Sequence, residues 1–312
     1  MFPPLLKSGD TIGLISPAGS LYEHAPYQQA VQLLQSLNFQ VKCGRYWQAK
    51  NGYLAGTDQQ RVSDLHAMFA DPEVKAIIAF RGGWGSARLL PYIDFDLIAA
   101  NPKIFMGYSD ITALLLAIYS QTGLITWHGA VARDLGNAFT LNHLQHLLCE
   151  KAGEYFGTHT VLHTYNMVQT GNKLLILKSG TATGKLLGGN LSVLCSLIGS
   201  KYLPQWDGAI LFLEDVGEAT YRIDRLFCQL KLSGILDKIA GIVLGAFTNC
   251  PEGTGEYSRS IEAIFNDYIV PLGIPAFAGA QFGHIPQKVL LPVGATVHLD
   301  AEQANLHLVA TS

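Results

Sequence analysis

Charge is scarce in this sequence: of 312 residues only 14% are Asp, Glu, Lys or Arg, and the formal net charge is −3. A chain with so little positive charge offers no footprint for nucleic acid or an anionic membrane surface. It also lacks any unbroken apolar run approaching the length of a membrane span. The opening MFPPLLKSGDTIGLISPAGS has no basic start, no long apolar region and no small-residue cleavage site, and Pro3-Pro4 and Gly9-Asp10 interrupt it early. These absences lead us to expect a cytoplasmic protein with no nucleic-acid and no membrane partner. Cysteine is sparse and unpatterned. Cys43, Cys149, Cys195, Cys228 and Cys250 are odd in number and contain no C-x-x-C pair. Buried free thiols are therefore expected, in place of a disulfide framework, a zinc site or a thiol nucleophile.

What the chain does have is apolar text, 49% of its residues, enough to bury two cores at roughly 150 residues per domain. The first half alternates. TIGLISPAG, FQVKC, VKAIIAF and KIFMGY read as strands; YQQAVQLLQSLN, TDQQRVSDLHAMFADP, ARLLPYI and DITALLLAIYSQ read as helices, with Thr57 or Asp58 as a cap. Such alternation implies an α/β fold with a parallel sheet covered by helices on both faces, and its reactive groups belong at the carboxyl ends of the strands. Residues 1–145 form this expected N-terminal domain. Residues 146–180, rich in threonine and histidine, are the expected connection, and 181–312 a smaller C-terminal α/β domain with a β-rich tail. That second domain is expected to hold the strands AILFLED and AGIVLGAF, a long helix over YRIDRLFCQLKLSGILDKI and another around SRSIEAIFNDYIV.

Several motifs fail on spacing. GTATGK, Gly180 to Lys185, is one residue short of a phosphate loop and is followed by leucine where a hydroxyl is needed. RGGWGSAR puts Arg88 where a dinucleotide-binding glycine belongs. His159 and His163 stand in threonine-rich text with no carboxylate between them, and His143 and His146 read as the polar face of a helix. No metal and no cofactor is expected.

Ser109 is different. In FMGYSDITALLLAIYSQTG it stands where a strand turns into a helix. Such a serine serves either as an N-cap or as a nucleophile whose oxyanion is met by the amides of the first helical turn. G-Y-S-D-I supplies the first glycine of a nucleophile elbow but has isoleucine in place of the second, which disfavours an ordinary α/β-hydrolase. A nucleophilic serine needs a base and a group to orient it. His284, in AFAGAQFGHIP, and His128, in LITWHGAV, each follow a strand-like run. Glu214 and Asp215, in GAILFLEDVGE, close an apolar strand and are the candidate acids.

These motifs, in this order, resemble the serine LD-carboxypeptidases, or muramoyltetrapeptide carboxypeptidases, together with the related microcin-immunity peptidases. The resemblance spans nearly the whole chain, through GLISPAG, YLAGTDQQRVSDL, AFRGGWGSARLLPYIDFD, GYSDIT, GKLLGGNLSVLCSLIGS, ILFLEDVGEATYRIDRLFCQL, GIVLGAF and FGHIP. It implies a flavodoxin- or class I amidotransferase-like first domain carrying the nucleophile, and a second domain carrying acid and base. Residue by residue, it implies Ser109 as nucleophile, His284 as general base and acid, and Glu214, not Asp215 or Glu218, as the acid that holds the imidazole. His128 then contacts substrate or packs. The amides of Gly83 and Asp110 would form the oxyanion hole.

Trp84 and Asn190 are candidate substrate contacts, Asn190 equally a cap of the following helix. The implied substrate is a cytosolic murein tetrapeptide losing its terminal D-alanine during cell-wall recycling, and the implied assembly is a homodimer. The free carboxylate of that substrate calls for a cation, for which Arg81, Arg88, Arg222 and Arg225 are candidates. The same triad serves the microcin-immunity branch, which acts on peptidyl or aminoacyl adenylates, and a non-catalytic peptide-binding protein of the same fold is the third reading.

Overall fold

The alternation of the first half becomes a sheet in the order its apolar runs require. In the computed structural model, which describes residues 1–23, 25–149, 160–162, 174–253 and 258–309, the first half contains β1 (Thr11–Ile15), α1 (Ala25–Ser36), β2 (Gln40–Cys43), α2 (Asp58–Ala70), β3 (Val74–Ala79), α3 (Phe95–Ala100), β4 (Ile104–Gly107), α4 (Thr112–Thr122), β5 (Thr126–His128) and α5 (Ala138–Leu148). The text ARLLPYI lies in a 3-10 helix over Ser86–Tyr92.

Strands β2, β1, β3, β4 and β5 lie side by side and parallel in that order, the doubly wound arrangement whose reactive groups gather beyond the strand carboxyl ends. β4 is buried throughout and β1 and β3 nearly so, as strands covered on both faces must be, while the edge strand β2 alternates in exposure. The cap of α2 is Thr57: its hydroxyl accepts the Gln60 N–H at 3.2 Å and the Gln60 side chain accepts the Thr57 N–H at 2.9 Å.

The second half adds β6 (Thr160–Leu162), β7 (Leu175–Lys178), β8 (Thr181–Asn190), α6 (Leu191–Ser196), β9 (Ile210–Val216), α7 (Thr220–Leu232), β10 (Gly241–Thr248), α8 (Ile261–Tyr268), β11 (Ala276–Ala278), β12 (Leu291–Val293), β13 (Thr296–Asp300) and β14 (Asn305–Leu308). Its sheet runs β6-β14-β13-β8-β9-β10-β11-β7. β8 to β11 are parallel and the flanking pairs antiparallel. The GTATGK text enters β8, where Lys185 donates to the Thr296 hydroxyl at 2.9 Å.

Two compact units result, one drawn from the described residues of Met1–Tyr155, Lys201–Pro204 and Pro286–Gly294, the other from those of Phe156–Ser200, Gln205–Ile285 and Ala295–Ser312. The span 181–312 is thus not a single unit. Lys201–Pro204 returns to the first because the Leu203 and Lys201 carbonyls accept from Ser120 and Gln121, and Pro286–Gly294 returns because β12 adds to β5 as an antiparallel edge strand. Within 146–180, the strands β6 and β7 belong to the second sheet, while 150–159 and 163–173, with His159 and His163, lie outside the described residues. The helix expected over YRIDRLFCQLKLSGILDKI stops at Leu232, two residues before Gly234 at φ 73°. No described helix is long and apolar enough to cross a membrane. All five cysteines are free thiols; Cys195 is buried, and burial pushes its thiol up to about 12, while the other four are partly buried.

His143 departs from its expected place. It lies buried on α5, stacked on Phe139, and its Nδ1 accepts the Leu290 N–H at 3.2 Å. Burial pulls its pKa down from 6.5 to about 4. The neutral ring is what the fold holds, so stability is complete above about pH 6.5 and is lost as pH falls toward about 4. We expect about 2.5 kcal/mol to be lost from this group by about pH 4.5. Urea unfolding of wild type and His143→Asn at neutral and acid pH should show a correspondingly shallower acid loss in the variant.

Candidate active site

In the first unit the chain leaves β4 through Tyr108 and enters a single 3-10 turn, Ser109–Ile111, before α4 begins. Ser109 sits at φ 63°, a left-handed conformation that costs a non-glycine residue about 1–2 kcal/mol. It is not a cap: no side chain caps either the 3-10 turn or α4. The glycine turn after β3 presses against it. A Cβ on Gly82 would stand 2.9 Å from the Ser109 Cβ and 3.2 Å from its Oγ, so only glycine admits this approach.

The two turns are fastened to each other by Asp110. Its carboxylate accepts the Ser86 N–H at 2.8 Å and a bond from the Gly85 amide, and the Ser86 hydroxyl donates to the Asp110 carbonyl at 2.5 Å. Burial raises the Asp110 carboxyl above its ordinary range, opposed by these donors. Arg61, its side chain wholly buried, donates to the Pro17 and Gly85 carbonyls at 2.8 and 2.9 Å and pairs with Asp58. The Gly83 N–H has no protein acceptor among the described residues.

His128, the rival base, is fully buried on β5 with its ring edge-on to Tyr108 at 6.1 Å. The buried Lys288 places its Nζ 4.1 Å from the Tyr108 ring centroid and 3.1 Å from the Asp134 carboxylate.

In the second unit Glu214, on β9, is fully buried and its Oε2 lies 2.7 Å from the His284 Nδ1. A carboxylate oxygen at Nδ1 favours the tautomer with its proton there, which leaves the Nε2 lone pair to accept a proton. His284 does not directly follow a strand. β11 ends at Ala278, and the chain continues alongside β10 through bonds from Ala280 to Leu244 and from Ala246 to Phe282. Gly283, at φ 108°, lies so close that a Cβ would stand 2.9 Å from the Glu214 Oε2.

Asn190, in register with Glu214 on neighbouring β8, donates to Glu214 Oε1 at 3.2 Å and Asp215 Oδ1 at 3.0 Å, and its Oδ1 caps α6 through the Val193 N–H. Asp215 instead accepts the Ser192 N–H and hydroxyl at 3.0 and 2.7 Å. Burial raises its carboxyl, the Ser192 donor opposing.

Models of the LD-carboxypeptidase N-terminal domain and C-terminal domain match residues 12–129 and 183–299. The chain belongs to the LD-carboxypeptidase family. It is 39% identical over 302 residues to the probable murein peptide carboxypeptidase of Bacillus subtilis, covering 96% of this chain and 92% of that one. Among solved structures, a muramoyltetrapeptide carboxypeptidase from Oxalobacter formigenes superposes with a TM-score of 0.80 at 30% identity, covering 96% of this chain and 97% of that one. The wild-type microcin C7 self-immunity protein superposes with 0.89 at 27% identity, covering 100% and 99%. The family is one of serine-type peptidases, so this LD-carboxypeptidase homologue is an enzyme of the hydrolase class.

Sequence reasoning missed Ser86, Arg61 and Lys288. Ser86, directly after the glycine run, carried a legible signal, since a small hydroxyl there suits a turn; the partners of Arg61 and Lys288 lie too far along the chain to be read. Gly283→Ala should push the Glu214 carboxylate off His284. We expect loss of the low-field Nδ1–H proton resonance and a fall of about 100-fold in kcat for a family substrate.

Proposed function

We propose that this enzyme removes the terminal D-alanine from murein tetrapeptides in the cytoplasm, working as a homodimer, with Ser109 as nucleophile, His284 as general base and acid and Glu214 as the orienting carboxylate. The observation that carries the reading is the strained Ser109 turn with the glycine turn at Gly82 pressed against its hydroxyl; the Glu214–His284 bond supports it. His284 Nε2 takes the Ser109 proton as Oγ attacks the amide carbonyl of the L-centre. The oxyanion is held by the Gly83 and Asp110 N–H groups. His284 passes the proton to the amine of D-alanine, which leaves. A water, deprotonated in turn by His284, then cleaves the ester and frees the tripeptide and Ser109. Glu214 holds the ring through Nδ1 and stabilises the imidazolium.

A second reading, hydrolysis of a peptidyl or aminoacyl adenylate, is favoured by the closer backbone match to the microcin self-immunity protein. Offering a defined tetrapeptide and an adenylate analogue side by side decides between them.

Ser109→Ala should lower D-alanine release by at least about 10³-fold with the fold intact. Full activity in that variant would remove Ser109 from the chemistry. Glu214→Gln, which takes away the charge but not the shape, should lower kcat by about 10³- to 10⁴-fold.

A further inference from the structure

One side of the glycine turn opens into a pocket of about 350 Å³ lined by Gly19, Tyr22, Tyr53, Arg81, Gly83 and Trp84. Its walls are aromatic and unusually exposed: Tyr22, Tyr53 and Trp84 show 69%, 57% and 56% of their surface, with Tyr53 and Trp84 edge to face at 5.7 Å. Beside these walls lies a single cation. The Arg81 guanidinium sits against the Tyr22 ring at 4.8 Å, and its Nη1 donates to the Ser20 carbonyl at 3.0 Å. Its Nη2 lies 3.3 Å from where a Gly83 Cβ would be, so the charge borders the backbone of the proposed oxyanion donor.

Arg81 has no carboxylate within ion-pairing distance among the described residues, and its buried Nε meets no acceptor there. The other candidate cations are placed otherwise. Arg88 is paired with Asp58 and Arg222 with Glu218, and Arg225 lies over Tyr221 on α7. A guanidinium is a planar fork of donors suited to a carboxylate.

We infer that this pocket receives the free α-carboxylate of the departing amino acid, Arg81 supplying the charge and Trp84, Tyr53 and Tyr22 the walls around its small side chain. The inference rests on the peptidase reading above. In a substrate whose last amide is cleaved, the terminal carboxyl carbon lies within about 4 Å of the scissile carbon. Its cation must therefore border the oxyanion hole, and Arg81, two residues before Gly83, does. The pocket thereby makes the enzyme a carboxypeptidase, since an internal amide offers no anion to this charge.

The test compares a murein tetrapeptide ending in free D-alanine with the same peptide ending in D-alaninamide, using the full-length protein. Wild type should prefer the free acid by about 100-fold in kcat/KM. Arg81→Met should lose that preference, its turnover of the acid falling by far more than its turnover of the amide. Arg81→Lys should restore part of it through its charge. A wild-type acid-to-amide ratio in Arg81→Met overturns the assignment, and so does equal loss of both substrates in Arg81→Met and Arg81→Lys alike. If wild type cleaves neither peptide, the peptidase reading itself fails, an outcome distinct from the others.

Discussion

The positive φ of Ser109 is the constraint around which the first unit is arranged. Left alone, a serine relaxes out of that conformation, so the surroundings must make every alternative worse. Asp110 and Ser86 do this by exchanging bonds across the two turns, each giving a donor or acceptor that the other needs. Gly107 contributes by its lack of a side chain: a Cβ there would stand 2.7 Å from the Ile111 methyl, so α4 can start close over the end of β4. On the preceding residue, Tyr108 is gripped by the Lys288 ammonium and the edge of His128. Burying Lys288 is tolerable because Asp134 and an aromatic face replace the water it leaves. The same contacts explain why His128, which sequence position alone made a rival base, is occupied in packing.

How far the sequence revealed this depends on the range of the interaction concerned. Continuous apolar text in β1, β3 and β4 announced strands covered on both faces, and Thr57 with Gln60 announced a helix start, because both signals lie within a few residues. The turn containing Ser109 was located by the change of period from strand to helix. Its left-handed backbone was not, since G-Y-S-D-I carries no glycine at that position, and the bonds that enforce it come from Ser86, 24 residues before Asp110. His143 misled for the same reason: a helix with polar residues at Asn142, Gln145 and His146 suggested a wet face, while the partner of His143 is the Leu290 amide, 147 residues away. The overlong α7 is a local error, a glycine two residues past Leu232 being passed over because apolar text resumes behind it.

The second unit turns on two neighbouring carboxylates that take opposite parts. Successive residues on a strand point to opposite faces, so Glu214 and Asp215 could not both reach one imidazole. Glu214 meets His284, while Asp215 accepts the first amide and hydroxyl of α6. The neighbouring Glu214 adds to the burial that raises the Asp215 carboxyl, and Asn190, whose single amide nitrogen donates to both acids, opposes it.

Asn190 can do so because parallel register sets it level with Glu214, and because its carbonyl oxygen is spent on the Val193 N–H, which turns the amide nitrogen toward the acids. The cap of α6 and the orientation of Glu214 are therefore one structural fact. An aspartate at 190 would serve the helix equally well as a cap. It would also place a third negative charge where a donor is needed, so helix capping alone does not account for the amide at this position.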